Sequence, residues 1–241
     1  MHILNGFKSQ SQHGEDFAIA ELIHKNSENW FVDVGAHDGR SWSNSYLFGK
    51  VGFNLLLIEP MEVCANKCRK LWAGNRRVHV EQKAVSEADG VVNFYIHDNK
   101  EIDLLAIRSS LMQEIIPSND ISKVSVESIP LNKLLDKHRV PRNFAALSVD
   151  AEGVDLQVLR SVDLKKYRPS VICVEDEIDH DRIEAHLRDQ GYSEVQRLGP
   201  NGIYIDKNGI YEPTSDSPTS ESMLDKIIGR IGQRFIPSKK R

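Results

Sequence analysis

Cysteine is scarce in this chain of 241 residues: Cys64, Cys68 and Cys173 form an odd set of three, which excludes a disulfide framework as the main source of stability. The first two fall four apart in a stretch that reads as helix and have no second pair of ligands for a zinc site, so all three are expected to be small buried residues. Glycine and proline, at 15 and 9 residues, are too few for a fibrous or broadly disordered chain. No apolar run approaches the roughly 18 residues of a membrane span. The first ten residues include Asn5, Lys8 and Gln10 and lack the apolar core of a secretory signal, so a cytoplasmic location is expected. A large excess of one charge is also missing, the net value being −4. That charge is unevenly placed. Between Met223 and Arg241 six basic residues stand against Asp225 alone, a local +5 that leaves −9 on the rest of the chain. An acidic body excludes extended binding to nucleic acid.

What the sequence does contain is a series of apolar runs separated by helical stretches, the pattern of an α/β domain with a mostly parallel sheet. Strands are expected over Trp30 to Val34, Leu55 to Ile58, Val78 to Glu81, Ala145 to Val149 and Val171 to Val174, each nearly all apolar, as for strands covered on both faces. A first helix is expected from Glu15 to His24, and Pro130 opens another through Leu131, Leu134 and Leu135. Val91 to Ile96 alternates like a more exposed strand, with a shorter candidate at Lys123 to Val126; these either extend the sheet or form a lid. A helix near Arg182 to Gln190 stops at Gly191, and Glu194 to Leu198 with Ile203 to Ile205 flank a Gly-Pro-Asn-Gly turn, a hairpin added to the sheet. Five parallel strands followed by a hairpin is the order of the class I methyltransferase fold, a Rossmann-like α/β domain with a mostly parallel seven-stranded sheet. The domain is expected over residues 1–210. Residues 211–222, rich in Ser, Thr and Pro, read as a flexible linker, and 223–241 as a basic amphipathic tail suited to an anionic membrane surface or a partner protein.

Chemistry concentrates at the strand ends. The strand ending at Val34 runs into Gly35-Ala36-His37-Asp38-Gly39, a glycine-bearing turn at which a nucleotide-like ligand can approach the backbone. The spacing is not Gly-x-Gly-x-x-Gly, which disfavours a dinucleotide. The next strand ends in Glu59-Pro60, and an acid there can accept hydrogen bonds from both ribose hydroxyls of a nucleoside. Asp150 and Glu152 follow the fourth strand, and Glu175, Asp176 and Glu177 end the fifth. So many carboxylates on one edge point to a bound cation, a shared proton or a polyol substrate.

The combination of Ser11-Gln12-His13-Gly14-Glu15-Asp16, Phe31 to Gly39, Ser43-Asn44-Ser45, Ile58-Glu59-Pro60, Lys83-Ala84-Val85-Ser86, Ser109-Ser110-Leu111, Ser148 to Gly153 and Val174 to Glu177 resembles the FkbM-type S-adenosylmethionine-dependent methyltransferases. The resemblance implies S-adenosylmethionine bound across the strand ends and methyl transfer to oxygen, frequently a hydroxyl of a sugar, glycoconjugate or glycosylated natural product. Carried over by position, Gly35 and Gly39 border the methionine moiety, Asp33 orients its amino group, Asn44 belongs to the same site, Glu59 holds the ribose, and Ala84, Val85 and Ser86 lie by the adenine. Glu15 folds back over this site. Ser110 and His180 are candidate acceptor contacts. Asp150 is the candidate base with Glu152 binding a neighbouring hydroxyl. Alternatively Asp150, Glu175 and Asp176 hold Mg2+. Rival readings are a non-catalytic binding module on the same fold, and a nucleotide-sugar or nicotinamide enzyme.

Overall fold

The computed structural model describes residues 3–4, 7–97, 107–109 and 121–207. In chain order the elements are β1 (Ile3–Leu4), β2 (Phe7–Lys8), α1 (Glu15–Leu22), β3 (Glu28–Val34), α2 (Tyr46–Val51), β4 (Asn54–Ile58), α3 (Glu62–Leu71), β5 (Val78–Glu81), β6 (Ala84–Val85), β7 (Gly90–His97), β8 (Ile107–Ser109), β9 (Ile121–Ile129), α4 (Leu131–Lys137), β10 (Phe144–Val149), α5 (Asp155–Arg160), β11 (Val171–Glu175), α6 (His180–Asp189), β12 (Tyr192–Leu198) and β13 (Asn201–Asp206). Ser110, the linker at 211–222 and the tail at 223–241 lie outside the described residues.

The main sheet has seven strands in the order β12-β13-β11-β10-β3-β4-β5. Neighbours from β11 to β5 are parallel, and β13 joins them antiparallel through the β12–β13 hairpin. This is the class I methyltransferase arrangement expected from the sequence. Its central strands have no polar face because helices cover both sides. In β4, Leu56 and Ile58 pack with α4, α5 and α6 through Leu134, Leu156 and Leu187. The alternating Leu55 and Leu57 join Ile19, Phe48 and Cys68 from α1, α2 and α3. Each such side chain contributes about 1.5 to 3 kcal/mol by leaving water. All three cysteines are buried thiols.

The exposed alternating segments do not extend this sheet. β7 and β9 pair with each other, with β8 and with the two-residue β6 in a separate sheet of four strands, ordered β6-β9-β7-β8. β9 runs for nine residues, longer than the sequence suggested, because pairing along β7 stabilises positions such as Ser125 and Glu127 whose side chains give no apolar signal. Among the described residues no helix is long and apolar enough to cross a membrane.

Candidate active site

The C-terminal ends of β3, β4, β10 and β11 open onto a cleft of about 630 Å³, closed on its far side by Ala84, Val85 and Ser86 after β5 and by Val92 to Phe94 of β7. Gly35 makes the cleft possible in a way the sequence does not reveal. It takes φ +86°, and a Cβ there would lie 1.8 Å from the backbone oxygen of Asp150. Its missing side chain therefore admits the neighbouring strand end, in addition to leaving room for a ligand.

Glu59 follows β4 and is 4% exposed. Its two carboxylate oxygens accept the backbone N–H groups of His37 and Met61, each at 2.8 Å. Burial pushes its pKa up to about 7, those two hydrogen bonds pull it down, and the charges of Asp33 and Asp150 add to the rise. Asp33, at the end of β3, is buried and accepts the hydroxyl of Ser45. Burial is also the main reason its pKa rises to about 6. Asn44 donates to Ser148 at 3.0 Å, tying the α2 entry to β10.

Asp150 and Glu175 come together because the register pairs Val149 with Val174. Asp150 opens onto the cleft, while the surrounding protein limits its hydration. This enclosure and then the charge of Glu15 raise its pKa, opposed by the hydrogen bond from Glu175 and by nearby His37. Burial and then the charges of Asp150, Asp155 and Glu152 push Glu175 to about 8, so the pair retains a proton that a solvated carboxyl would lose. The following loop is fixed by Asp155, whose carboxylate accepts the N–H groups of Ala151 at 2.7 Å and Gly153 at 3.1 Å. That clamp holds Glu152 in the left-handed region, φ +54°, a conformation costing a non-glycine residue about 1 to 2 kcal/mol. Glu15, buried at the start of α1, accepts the N–H of His13 and the side-chain amide of Asn201, both at 2.7 Å. It lines the cleft.

Several assignments change. Gly39 does not line the cleft: it packs against α3, where a Cβ would meet the Cys68 sulfur at 3.0 Å. Asp176 faces away from Asp150, because adjacent strand residues alternate in direction. It accepts both guanidinium arms of Arg197 at 2.7 and 2.9 Å, Nδ1 of His180 at 2.9 Å and the hydroxyl of Tyr204 at 3.0 Å. Burial alone would raise the Asp176 pKa, but these donors hold it below the usual carboxylate range. His180 is thus engaged by Asp176, with its side chain 41% exposed, and is not a cleft residue. The expected magnesium set of Asp150, Glu175 and Asp176 is not assembled, and no metal-holding group of three or more His, Cys, Asp or Glu exists among the described residues. The sequence reading also missed Asp155 and Asn201. Asp155 had a signal, an acid in a helix's first turn just past a glycine; Asn201 had none beyond its place in a turn.

The raised carboxyl of Asp33 predicts a pH effect. A folded pKa of about 6 against an ordinary 3.8 means that the folded state binds this proton more tightly, so stability declines as pH rises between the two values. Asp33→Asn accepts the same hydroxyl without a charge to bury. Its stability relative to wild type is expected to grow by about 2 to 3 kcal/mol between pH 4 and 7, read from denaturant melts of the ligand-free protein. A difference that stays flat or shrinks contradicts the assignment.

Comparison with known proteins places residues 33–194 in the family described as Methyltransferase FkbM domain. Similar solved structures include methyltransferase FkbM from Methylobacillus flagellatus KT, with TM-score 0.49 and 15% identity over 78% of this chain and 47% of that one. Precorrin-6y C5,15-methyltransferase from Geobacter metallireducens GS-15 gives 0.41 and 12% over 79% and 85%, and the METTL16 MTase domain 0.42 and 15% over 78% and 63%. This chain thus spans less than half the length of the first of these. No curated protein sequence matches it.

Proposed function

The chain belongs to the FkbM methyltransferase family, and we propose that it transfers the methyl group of S-adenosylmethionine to a hydroxyl oxygen of a sugar, glycoconjugate or glycosylated natural product. The observation that carries this reading is the Glu59 carboxylate, buried, aimed by two backbone N–H groups and facing the cleft. Each of its oxygens retains a second lone pair, so the group fits a ribose diol. The acidic floor of the cleft suits a cofactor with a positive sulfonium.

S-adenosylmethionine, when bound, supplies an electrophilic methyl group. Glu59 would hold the ribose, with Asp33 and Glu15 toward the methionine part and Ala84, Val85 and Ser86 toward the adenine. Asp150 accepts the proton of the acceptor hydroxyl, which is a poor nucleophile while it keeps that proton. The raised pKa strengthens Asp150 as a base, and the hydrogen bond it shares with Glu175 keeps its carboxylate oriented. Glu152, displayed by the Asp155 clamp, receives a neighbouring hydroxyl of the acceptor.

Calorimetry on the full chain tests the cofactor assignment. Glu59→Ala is expected to weaken S-adenosylmethionine by about 1.5 to 3 kcal/mol, the scale of hydrogen bonds to a charged group. Unchanged affinity would remove Glu59 from the ribose, and no binding of the cofactor or its demethylated product to folded wild type would overturn the enzyme reading.

A further inference from the structure

The acceptor end of the cleft has an unusual inventory of polar groups. From β4 to β13 the sheet edge passes through β3, β10 and β11, so Asn201 stands four strand positions from the ribose carboxylate, about 19 Å at the usual strand spacing of about 4.8 Å. Asn201 is 8% exposed and lines the cleft. Its side chain makes a hydrogen bond to Glu15, and because a carboxylate only accepts, Asn201 must contribute its NH2 group there. This fixes the amide orientation. The other end, Oδ1, has no hydrogen-bond partner among the described residues, and the side chain that carries it lines the cleft. The same cleft is lined by the carboxylates of Asp150, of Glu175, whose strand position pairs with Asn201, and of exposed Glu177. Lys83, the single Lys or Arg among the cleft-lining residues, is paired with Glu127 of β9. A smaller hollow of about 160 Å³ opens beside Glu152, Glu175 and Glu177, with Leu156, Ile178 and Ile183 in its wall.

A phosphate, sulfate or carboxylate on the acceptor would meet like charge from Asp150, Glu175 and Glu177 here, and no unpaired Lys or Arg among the cleft-lining residues. An ammonium group, which only donates, meets acceptors of both kinds. We propose that the acceptor bears an ammonium group near the hydroxyl that is methylated, as an amino sugar does, and that Asn201 Oδ1 and Glu177 receive it. This rests on the methyltransferase reading above and names the substrate class for that site. The shared proton of Asp150 and Glu175 leaves the base at the centre of the edge, while the cation is held at its β13 side.

The test uses the full chain saturated with S-adenosylhomocysteine, with glucosamine, glucose and glucuronate as probes titrated by ligand-observed NMR. Glucosamine is expected to bind about tenfold tighter than glucose, the scale of one charge-assisted hydrogen bond, and glucuronate more weakly than either. Glu177→Gln, a change at an exposed rim position, and Asn201→Leu should each cut that preference to about threefold or less, as one of its two receiving groups is lost. Every variant is compared at saturating S-adenosylhomocysteine, because Asn201 also holds Glu15, assigned above to the methionine part of the cofactor. Equal affinities, tighter glucuronate, no glucosamine binding, or a preference that survives Glu177→Gln overturns the proposal. So does a large loss of S-adenosylhomocysteine affinity in Asn201→Leu with the preference intact, which would move Asn201 to the cofactor. Failure of wild type to bind S-adenosylhomocysteine is a separate result, and it falls on the methyltransferase reading.

Discussion

Gly35→Ala should destabilise the protein by about 3 kcal/mol or more and remove cofactor binding, because it combines overpacking with a left-handed backbone. The added Cβ would sit 1.8 Å from the Asp150 backbone oxygen, and neither backbone is free to yield. Gly35 N–H donates to Ile58 at 2.9 Å, and Asp150 N–H donates to Val34 at 3.0 Å. Relief requires β3 and β10 to separate at their tips, which displaces Asp33, Asp150 and the loop that aims Glu59. Gly74 supplies the control. It has φ +80°, and a Cβ there would meet nothing within 4 Å, so Gly74→Ala carries the conformational cost alone, about 1 to 2 kcal/mol. Urea melts of both variants separate the two contributions. Equal losses would show that the strand ends accommodate a methyl group and that the close approach is not what demands glycine.

The second large effect is expected at Asp150. Asp150→Asn should lower turnover by about 100-fold or more, the usual scale for losing a positioned base, while leaving the fold and most of the cofactor affinity in place. Asparagine keeps the shape and a hydrogen bond to Glu175, but it cannot take up the hydroxyl proton. Asp176→Asn provides the contrast one residue past Glu175. It breaks into the hydrogen bonds that the buried Asp176 carboxylate accepts from Arg197, His180 and Tyr204, so its cost should appear in stability, with turnover per folded molecule near normal. Near-normal turnover in Asp150→Asn on the true acceptor would place the chemistry elsewhere.

These contrasts show what was legible in the sequence. Strands β3, β4, β10 and β11 read clearly because burial on both faces demands an uninterrupted apolar run, and a parallel sheet brings their C-terminal ends to one edge. The positions of Glu59 and Asp150 at that edge followed from this placement, and Asp33 was named through the family resemblance. Period-two alternation already separates Glu175 from Asp176, yet composition alone groups them as one acidic cluster, which is why the magnesium set looked plausible and was not formed. Gly39 looked like part of a ligand loop because glycine signals close approach without saying to what, and here the neighbour is Cys68. Asn201 could not be found at all. Its role depends on a contact with Glu15 across 186 positions of sequence, and a turn asparagine carries no mark of such a partner.

The most direct measurement supplies the full chain with S-adenosylmethionine carrying a carbon-13 methyl group, together with glycans and polar metabolites extracted from its own host, and locates the label by NMR. A methyl ether is expected, its carbon correlated through oxygen to a proton on a sugar ring, with S-adenosylhomocysteine formed in equal amount. Label found on nitrogen or carbon, or none transferred to any acceptor while the cofactor is bound, would contradict it.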